Sequence, residues 1–223
     1  MVELHSRQLA SKWAKTNALL SHPELAPHIP PTERYSGASL KSMLDKYGTV
    51  VIKPIVGAGG HGVIKVLKSG GLYSYVYYSA RRSFGSFHAL KASLDKLRKG
   101  KSYLIQKGIE LAKVNGRPID YRVKYVKTGD GWRYRAIVGR IARQGLFVTN
   151  LCRGGTLVKG AEGIRRSLSP SQVYPKKREM RRLTETATQV LEQRYPGIGQ
   201  LGFDYGIDKS GKIWIFEVNT RPQ

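Results

Sequence analysis

The chain has 223 residues, 40% of them hydrophobic, enough to bury the core of one large or two small domains. With 39 Lys and Arg against 15 Asp and Glu, its net charge is +24, spread over both halves. That predicts attraction to polyanions such as nucleic acid, acidic polymers or phosphorylated and carboxylated substrates, and specifies no chemistry. The single Cys152 excludes an internal disulfide and a cysteine-built metal site. No apolar run approaches the ~20 residues of a membrane span, and the first residues carry no signal-peptide core, so the expected compartment is the cytoplasm with no membrane partner.

In chain order, Leu4, Leu9, Ala10, Trp13, Ala14, Leu19 and Leu20 recur at helical spacing and predict an amphipathic helix over 3–20. Pro23, Pro27, Pro30, Pro31 and Gly37 then predict a stiff connector. Ser39 is expected to cap a short helix reaching Tyr47. Thr49 to Pro54, almost wholly β-branched and apolar, reads as a strand buried on both faces. The stretch that follows holds Gly57, Gly59, Gly60, His61 and Gly62, four glycines in six residues. Their backbone N–H groups can close over a polyphosphate, and a ligand-free hairpin turn explains the composition equally well. Lys53 stands at the mouth of this loop, placed to neutralise phosphates or merely to reach solvent.

Tyr73 to Ser79 predicts a strand, Phe87 to Leu97 a helix, and Ser102 to Leu111 a strand running into a bend. Two long strands are expected over Ile119–Lys127, which contains Asp120-Tyr121-Arg122, and Trp132–Arg143. Each face of the second strand carries basic residues, which suit either a phosphate or an aggregation-proof edge. Thr149 to Thr156 reads as a polar loop, functional or only a turn. A helix is predicted from Pro175 to Tyr195.

The last stretch, Gly202 to Pro222, contains two aromatic and β-branched runs flanking Asp208-Lys209-Ser210-Gly211, a β-hairpin signal. Pairing Asp208 with Gly211 sets Asp204 opposite Ile215, on the face that carries Glu217 and Asn219. Two carboxylates and an amide on one face suit a hard cation such as Mg²⁺, and equally a solvated polar face.

In this order the motifs resemble an ATP-grasp ligase domain. In detail they are similar to the endospore coat-associated YheC/YheD family, and more distantly to glutamate-ligase and glutathione-synthetase enzymes of that superfamily. The most specific parts are Asn150-Leu151-Cys152-Arg153-Gly154-Gly155 and Glu217-Val218-Asn219-Thr220-Arg221-Pro222. The resemblance implies an α+β, ATP-grasp fold of two α+β subdomains clasping ATP, with the usual N-terminal α/β domain largely absent. Residues 1–37 would form a helix and Pro-rich strap, 38–110 the glycine-lid subdomain and 111–223 the metal-binding subdomain. It further implies Lys53 and Lys107 as nucleotide-binding lysines, residues 57 to 62 as a phosphate lid with His61 touching a phosphate, and backbone contacts to adenine from the bend at Gln106 to Ile109. Glu110 would meet the ribose. Asp204, Glu217 and Asn219 would hold one or two Mg²⁺ ions, with Mn²⁺ as a substitute. Arg122, Arg140, Asn150 and Arg153 would serve the γ-phosphate and the carboxylate.

The implied reaction joins a carboxylate to an amine through an acyl phosphate, releasing ADP. It asks for positioning and charge neutralisation and for no protein nucleophile. The short N-terminal part and the end at Gln223 leave the acceptor site thin. They leave room for a homodimer, for a partner protein supplying that site, or for a non-catalytic spore-coat-type structural protein that keeps the fold. The basic surface also allows a nucleic-acid-binding protein or recruitment of an acidic polymer, and the family resemblance allows association with the spore.

Overall fold

The computed structural model describes residues 6–149 and 151–222, and the chain divides into two compact units. The smaller spans Pro30–Ile109, and the larger combines the chain up to Ile29 with everything from Glu110 onward.

In the smaller unit, β1 (Thr32–Arg34), α2 (Gly37–Tyr47), β2 (Thr49–Pro54), β3 (Ile64–Ser69), β4 (Leu72–Tyr77), β5 (Ala80–Phe84), α3 (Phe87–Arg98) and β6 (Tyr103–Lys107) follow one another, after the α1 helix of the larger unit (Lys12–Leu20). The strands form one sheet in the order β1-β6-β2-β3-β4-β5, with antiparallel pairing between neighbours. Ser36, not Ser39, is the α2 cap. Its hydroxyl accepts from Ser39 N while the Ser39 hydroxyl takes the Ser36 N–H, a reciprocal capping box one turn earlier than the apolar pattern suggests. Leu40, Met43 and Leu44 of α2 and Leu90 and Leu94 of α3 bury against Val50, Ile52, Val66 and Ile105. Each such side chain contributes about 1.5–3 kcal/mol on removal from water. Both helices therefore cover one sheet face, and alternation sends Lys53 to the other.

The larger unit adds β7 (Lys113–Val114), β8 (Arg117–Thr128), β9 (Gly131–Ile141), β10 (Thr156–Lys159), α4 (Gly160–Ser167), α5 (Val173–Arg194), β11 (Gln200–Ile207) and β12 (Ile213–Asn219). Its sheet runs β10-β9-β8-β11-β12, with β7 paired to β8. Helix α5 presents Met180, Leu183, Thr184, Ala187, Thr188 and Leu191 along one side, and these bury against Tyr121, Phe203, Tyr205 and Ile215. The Thr184 and Tyr205 hydroxyls hydrogen-bond at 2.8 Å inside this core. The chain ahead of α1 is latched to the same unit: Leu9 N donates to Thr220 Oγ1 at 2.8 Å, and Ser6 Oγ accepts from Gly199 N at 2.9 Å. Among the described residues no helix is long and apolar enough to cross a membrane.

Candidate active site

The polar chemistry of the larger unit lies on the face of its sheet away from α4 and α5. Along β11, Phe203, Tyr205 and Ile207 enter the core, so Asp204 points the other way. The closing hairpin does not keep the register the turn composition suggests. Asp208 N donates to Lys212 O at 3.0 Å and Gly211 N to Asp208 O at 3.0 Å, so the turn is one residue longer and Ile207 pairs with Ile213. The register then shifts between Asp204 and Tyr205: Tyr205 faces Ile215, while Asp204 faces Glu217, leaving Phe216 as the extra residue. This corrects the expected pairing of Asp204 with Ile215. Ile213 and Ile215 are core residues, so without the bulge Glu217 would share their buried face. The bulge turns Glu217 and Asn219 onto the face of Asp204. Gly206 accommodates the bulge, because a Cβ there would collide with the Phe216 ring.

Asp204 lies within an interlocked row of charges. Its Oδ1 and Oδ2 accept from Arg122 Nε and, at 3.0 Å, from Arg122 Nη2, and Oδ1 also accepts from Arg140 Nη2 at 2.9 Å. Arg140 in turn donates to Asp120 through Nε at 2.8 Å and Nη2 at 2.6 Å. Backbone register builds the row, since β8 places Arg122 opposite Asp204 and Asp120 opposite Arg140. Burial pushes the Asp120 carboxyl up, against the opposing pull of Arg140. For Arg140, desolvation is outweighed by the charges of Asp204 and Asp120, which hold its guanidinium firmly protonated. Glu217 is met by Lys12 of α1 at 3.1 Å. Beside them Lys15, whose Nζ donates to Leu9 O at 2.5 Å, is pushed down to about 8, chiefly by burial, with Glu217 opposing and Lys12 adding to the shift.

The donor set fits a hard cation. Asp204 and Glu217 are cross-strand neighbours, and Asn219 follows two residues on along the same face. Among the described residues no three His, Cys, Asp or Glu side chains gather at metal-binding distance, and the Asn219 amide is the further oxygen donor that the register puts on this face. A cation here has to replace Arg122 and Arg140 on Asp204 and Lys12 on Glu217.

In the smaller unit the glycine loop joins β2 to β3 as an antiparallel hairpin. Gly62 has φ +76°, and a Cβ would lie 2.7 Å from Pro54 Cγ and 2.8 Å from the Tyr103 hydroxyl, so both backbone hand and space call for glycine. The exposed His61 closes a turn from its N–H to Ala58 O at 3.2 Å. Lys53 is 8% exposed on the face shared with Leu104 and Gln106. Lys107 pairs with Val50, a helix-side core residue, and its ammonium sits 5.3 Å from the Tyr47 ring. The structure thus places the two lysines on opposite faces of the sheet. In the bend expected to meet adenine, Lys107 N donates to Pro31 O and Gly108 N to Thr49 O, both at 2.9 Å, so these two N–H groups are already taken. Glu110 belongs to the larger unit, where it pairs with Lys209 at 2.5 Å. Arg153 lies in the turn Leu151–Arg153, and Asn150 falls outside the described residues.

Two residues escape the motif reading. Asp120 was legible, since alternation puts it on the Arg122 face, whereas no local signal pairs Lys12 with Glu217 across 205 positions.

The family model described as YheC/D-like ATP-grasp matches residues 2–223. The chain is 31% identical to the endospore coat-associated protein YheD of Bacillus subtilis over 95% of its own length and 48% of that protein. It is 26% identical to YheC of the same organism over 99% of the chain and 62% of that protein. It therefore spans about half to three-fifths of the length of these curated relatives. Solved structures share the fold at low identity. N5-carboxyaminoimidazole synthase from Aspergillus clavatus, in complex with ADP and 5-aminoimidazole ribonucleotide, superposes with a TM-score of 0.60 at 12% identity, over 98% of this chain and 46% of that one. D-alanyl-alanine synthetase A from Vibrio cholerae gives 0.57 at 11%, over 96% and 55%.

Proposed function

Because the chain belongs to the YheC/D-like ATP-grasp family, we propose that it is an ADP-forming ligase that joins a carboxylate to an amine. The observation that carries this reading is the bulged hairpin, which sets Asp204 directly opposite Glu217 with two arginines on Asp204. A carboxylate becomes an acylating agent once phosphorylated, and phosphoryl transfer needs fixed positive charge around the transferring group more than it needs a nucleophilic side chain. Lys53 and the amides of the glycine loop bind the ATP phosphates. Asp204, Glu217 and Asn219 would hold Mg²⁺, which would supply Lewis-acid stabilisation of phosphate charge. Arg122 and Arg140, displaced from Asp204, orient the anionic reactants, and Asp120 keeps Arg140 charged and aimed.

The test is thermal unfolding with and without Mg·ATP, followed by ADP release over a panel of amino acids, with Glu217→Gln as control. A ligand that binds only the folded chain raises its melting temperature in proportion to RT ln(1 + [L]/Kd). A rise that Glu217→Gln abolishes, together with ADP release dependent on one amino acid, is the expected result. No rise removes the reading.

A second reading has its own observation. Asp204 and Glu217 are already neutralised by Arg122, Arg140 and Lys12, so the site is electrostatically complete without a cation. A structural protein that keeps the fold and is catalytically silent fits that state, and the relatives it matches are named as endospore coat-associated. Its signature is no ADP released from any acceptor, with or without a melting temperature raised by Mg·ATP.

A further inference from the structure

The interlocked charges end at Arg122, but the positive face continues. Against β11, strand β8 is regular through Arg122, Lys124 and Val126, which pair with Asp204, Gly202 and Gln200, so the three side chains share the face of Asp204. Against β9 the register shifts between Lys124 and Tyr125, leaving Arg135 as the extra residue. On the other side of β8, Val126 pairs with Arg133 of β9, Lys124 with Ala136 and Arg122 with Val138. Val138 in turn pairs with Lys159 of β10. Arg122, Lys124 and Arg133 therefore form a row that leads away from Asp204, flanked by Lys159. Successive rungs are about 7 Å apart. Arg133 and Lys159 are exposed, Lys124 is half-buried, and the floor between them is Ala136 and Val138. Asp120, Asp204 and Glu217, the acidic groups placed on this face, are taken by Arg140, Arg122 and Lys12. The described salt bridges include none to Lys124, Arg133 or Lys159.

We propose that this row is the docking track for a substrate carrying several carboxylates in sequence, its reacting carboxylate at Arg122 and the remainder along Lys124 and Arg133. The identity of the track as a substrate site rests on the ligase reading. Charge complementarity supplies the attraction, and the arrangement of the aromatics favours a carboxylate chain over the other polyanion that +24 invites. Single-stranded nucleic acid is held by a basic groove together with aromatic rings on which its bases stack. Here Tyr121 is a core residue, and the stacked Tyr125, Trp132 and Tyr134 lie on the opposite face, where Trp132 Nε1 and the Tyr134 hydroxyl donate to Glu192 and Glu185 of α5. The track keeps cations at intervals over a small aliphatic floor, which suits flexible carboxylate arms and offers nothing to a base.

The experiment uses the full chain and a fluorescently labelled oligoglutamate of about ten residues, titrated by anisotropy at low salt without nucleotide. The double variant Lys124→Glu/Arg133→Glu is compared with Lys177→Glu/Arg178→Glu on α5, which makes the same change in net charge elsewhere. The milder Lys124→Gln/Arg133→Gln pair, checked by thermal unfolding, separates lost contacts from misfolding. The expected result is about tenfold weaker binding for both track variants and a change within about twofold for the α5 variant. Equal weakening by track and α5 variants, no binding of oligoglutamate, or tighter track-dependent binding of an oligothymidylate overturns the proposal. ADP release measured on the same samples separates the two claims. Track-dependent binding with no ADP release removes the ligase and keeps a carboxylate-binding face, whereas ADP release indifferent to the track variants removes the track and keeps the ligase.

Discussion

The two sheets are built alike, with helices on one face and polar side chains on the other, yet they hold charge in opposite ways. In the larger unit, Asp120, Arg140, Asp204 and Arg122 form a continuous chain of hydrogen-bonded ions, and Lys12 closes on Glu217. In the smaller unit the polar face carries Lys53, Gln106 and a loop whose donors are backbone N–H groups shaped by glycine. A buried carboxylate is tolerated only where its counter-charge is fixed in place. A loop of backbone donors works the other way, because such donors carry no net charge that has to be neutralised. The larger unit therefore couples its site to its stability, and the smaller one separates the two.

Arg140→Leu tests that contrast most strongly. It leaves Asp120 without its counter-charge beside Asp204, which keeps Arg122, both carboxylates being at most 9% exposed, and should cost about 3–5 kcal/mol in denaturant unfolding. A loss below ~1 kcal/mol would mean that the array is not held by its pairs. Gly62→Ala comes next: it forces a side chain into φ +76° against Pro54 and Tyr103, and about 1–3 kcal/mol should be lost, together with weaker Mg·ATP stabilisation. Lys53→Met should change stability by less than about 1 kcal/mol while abolishing the Mg·ATP-dependent rise in melting temperature. A stability loss as large as that of Arg140→Leu would dissolve the distinction between the units.

The smallest effect is one of pH. Lys15 titrates near 8 in the folded chain and at its ordinary 10.5 when unfolded. Below pH 8 both states carry the proton. Between about 8 and 10.5 the unfolded state binds more, so this group makes the fold more stable as pH rises through that window. Lys15→Met should flatten the rise, measured as the unfolding midpoint against pH.

Much of the architecture was legible because each strand and helix carries its own period. The helix ending at Tyr47, the strand at Thr49, the paired strands around Thr128-Gly129-Asp130-Gly131 and the closing hairpin all stand where composition puts them. The short β1, β5 and β10 and the helix α4 escaped, since all three strands are short, largely exposed sheet edges and α4 is only eight residues long. The cap of α2 was misplaced because Ser36 and Ser39 cap reciprocally, and only the backbone says which comes first.

The candidate site divides along the same line. The sequence by itself determined which residue types are present and, within each regular strand, which of them share a face: Asp120 with Arg122, Glu217 with Asn219. Only the tertiary structure decided how the strands meet. One extra residue at Phe216 reverses the alternation that would have buried Glu217 with Ile215. Pairing across β2 and β6 sends Lys107 to the helix side of the sheet from Lys53, and α1 brings Lys12 to Glu217 from the far end of the chain. The physical reason is that side-chain direction follows from local geometry only until a bulge or a long-range register intervenes. Both are set by packing of the whole sheet, and no short window of sequence contains them.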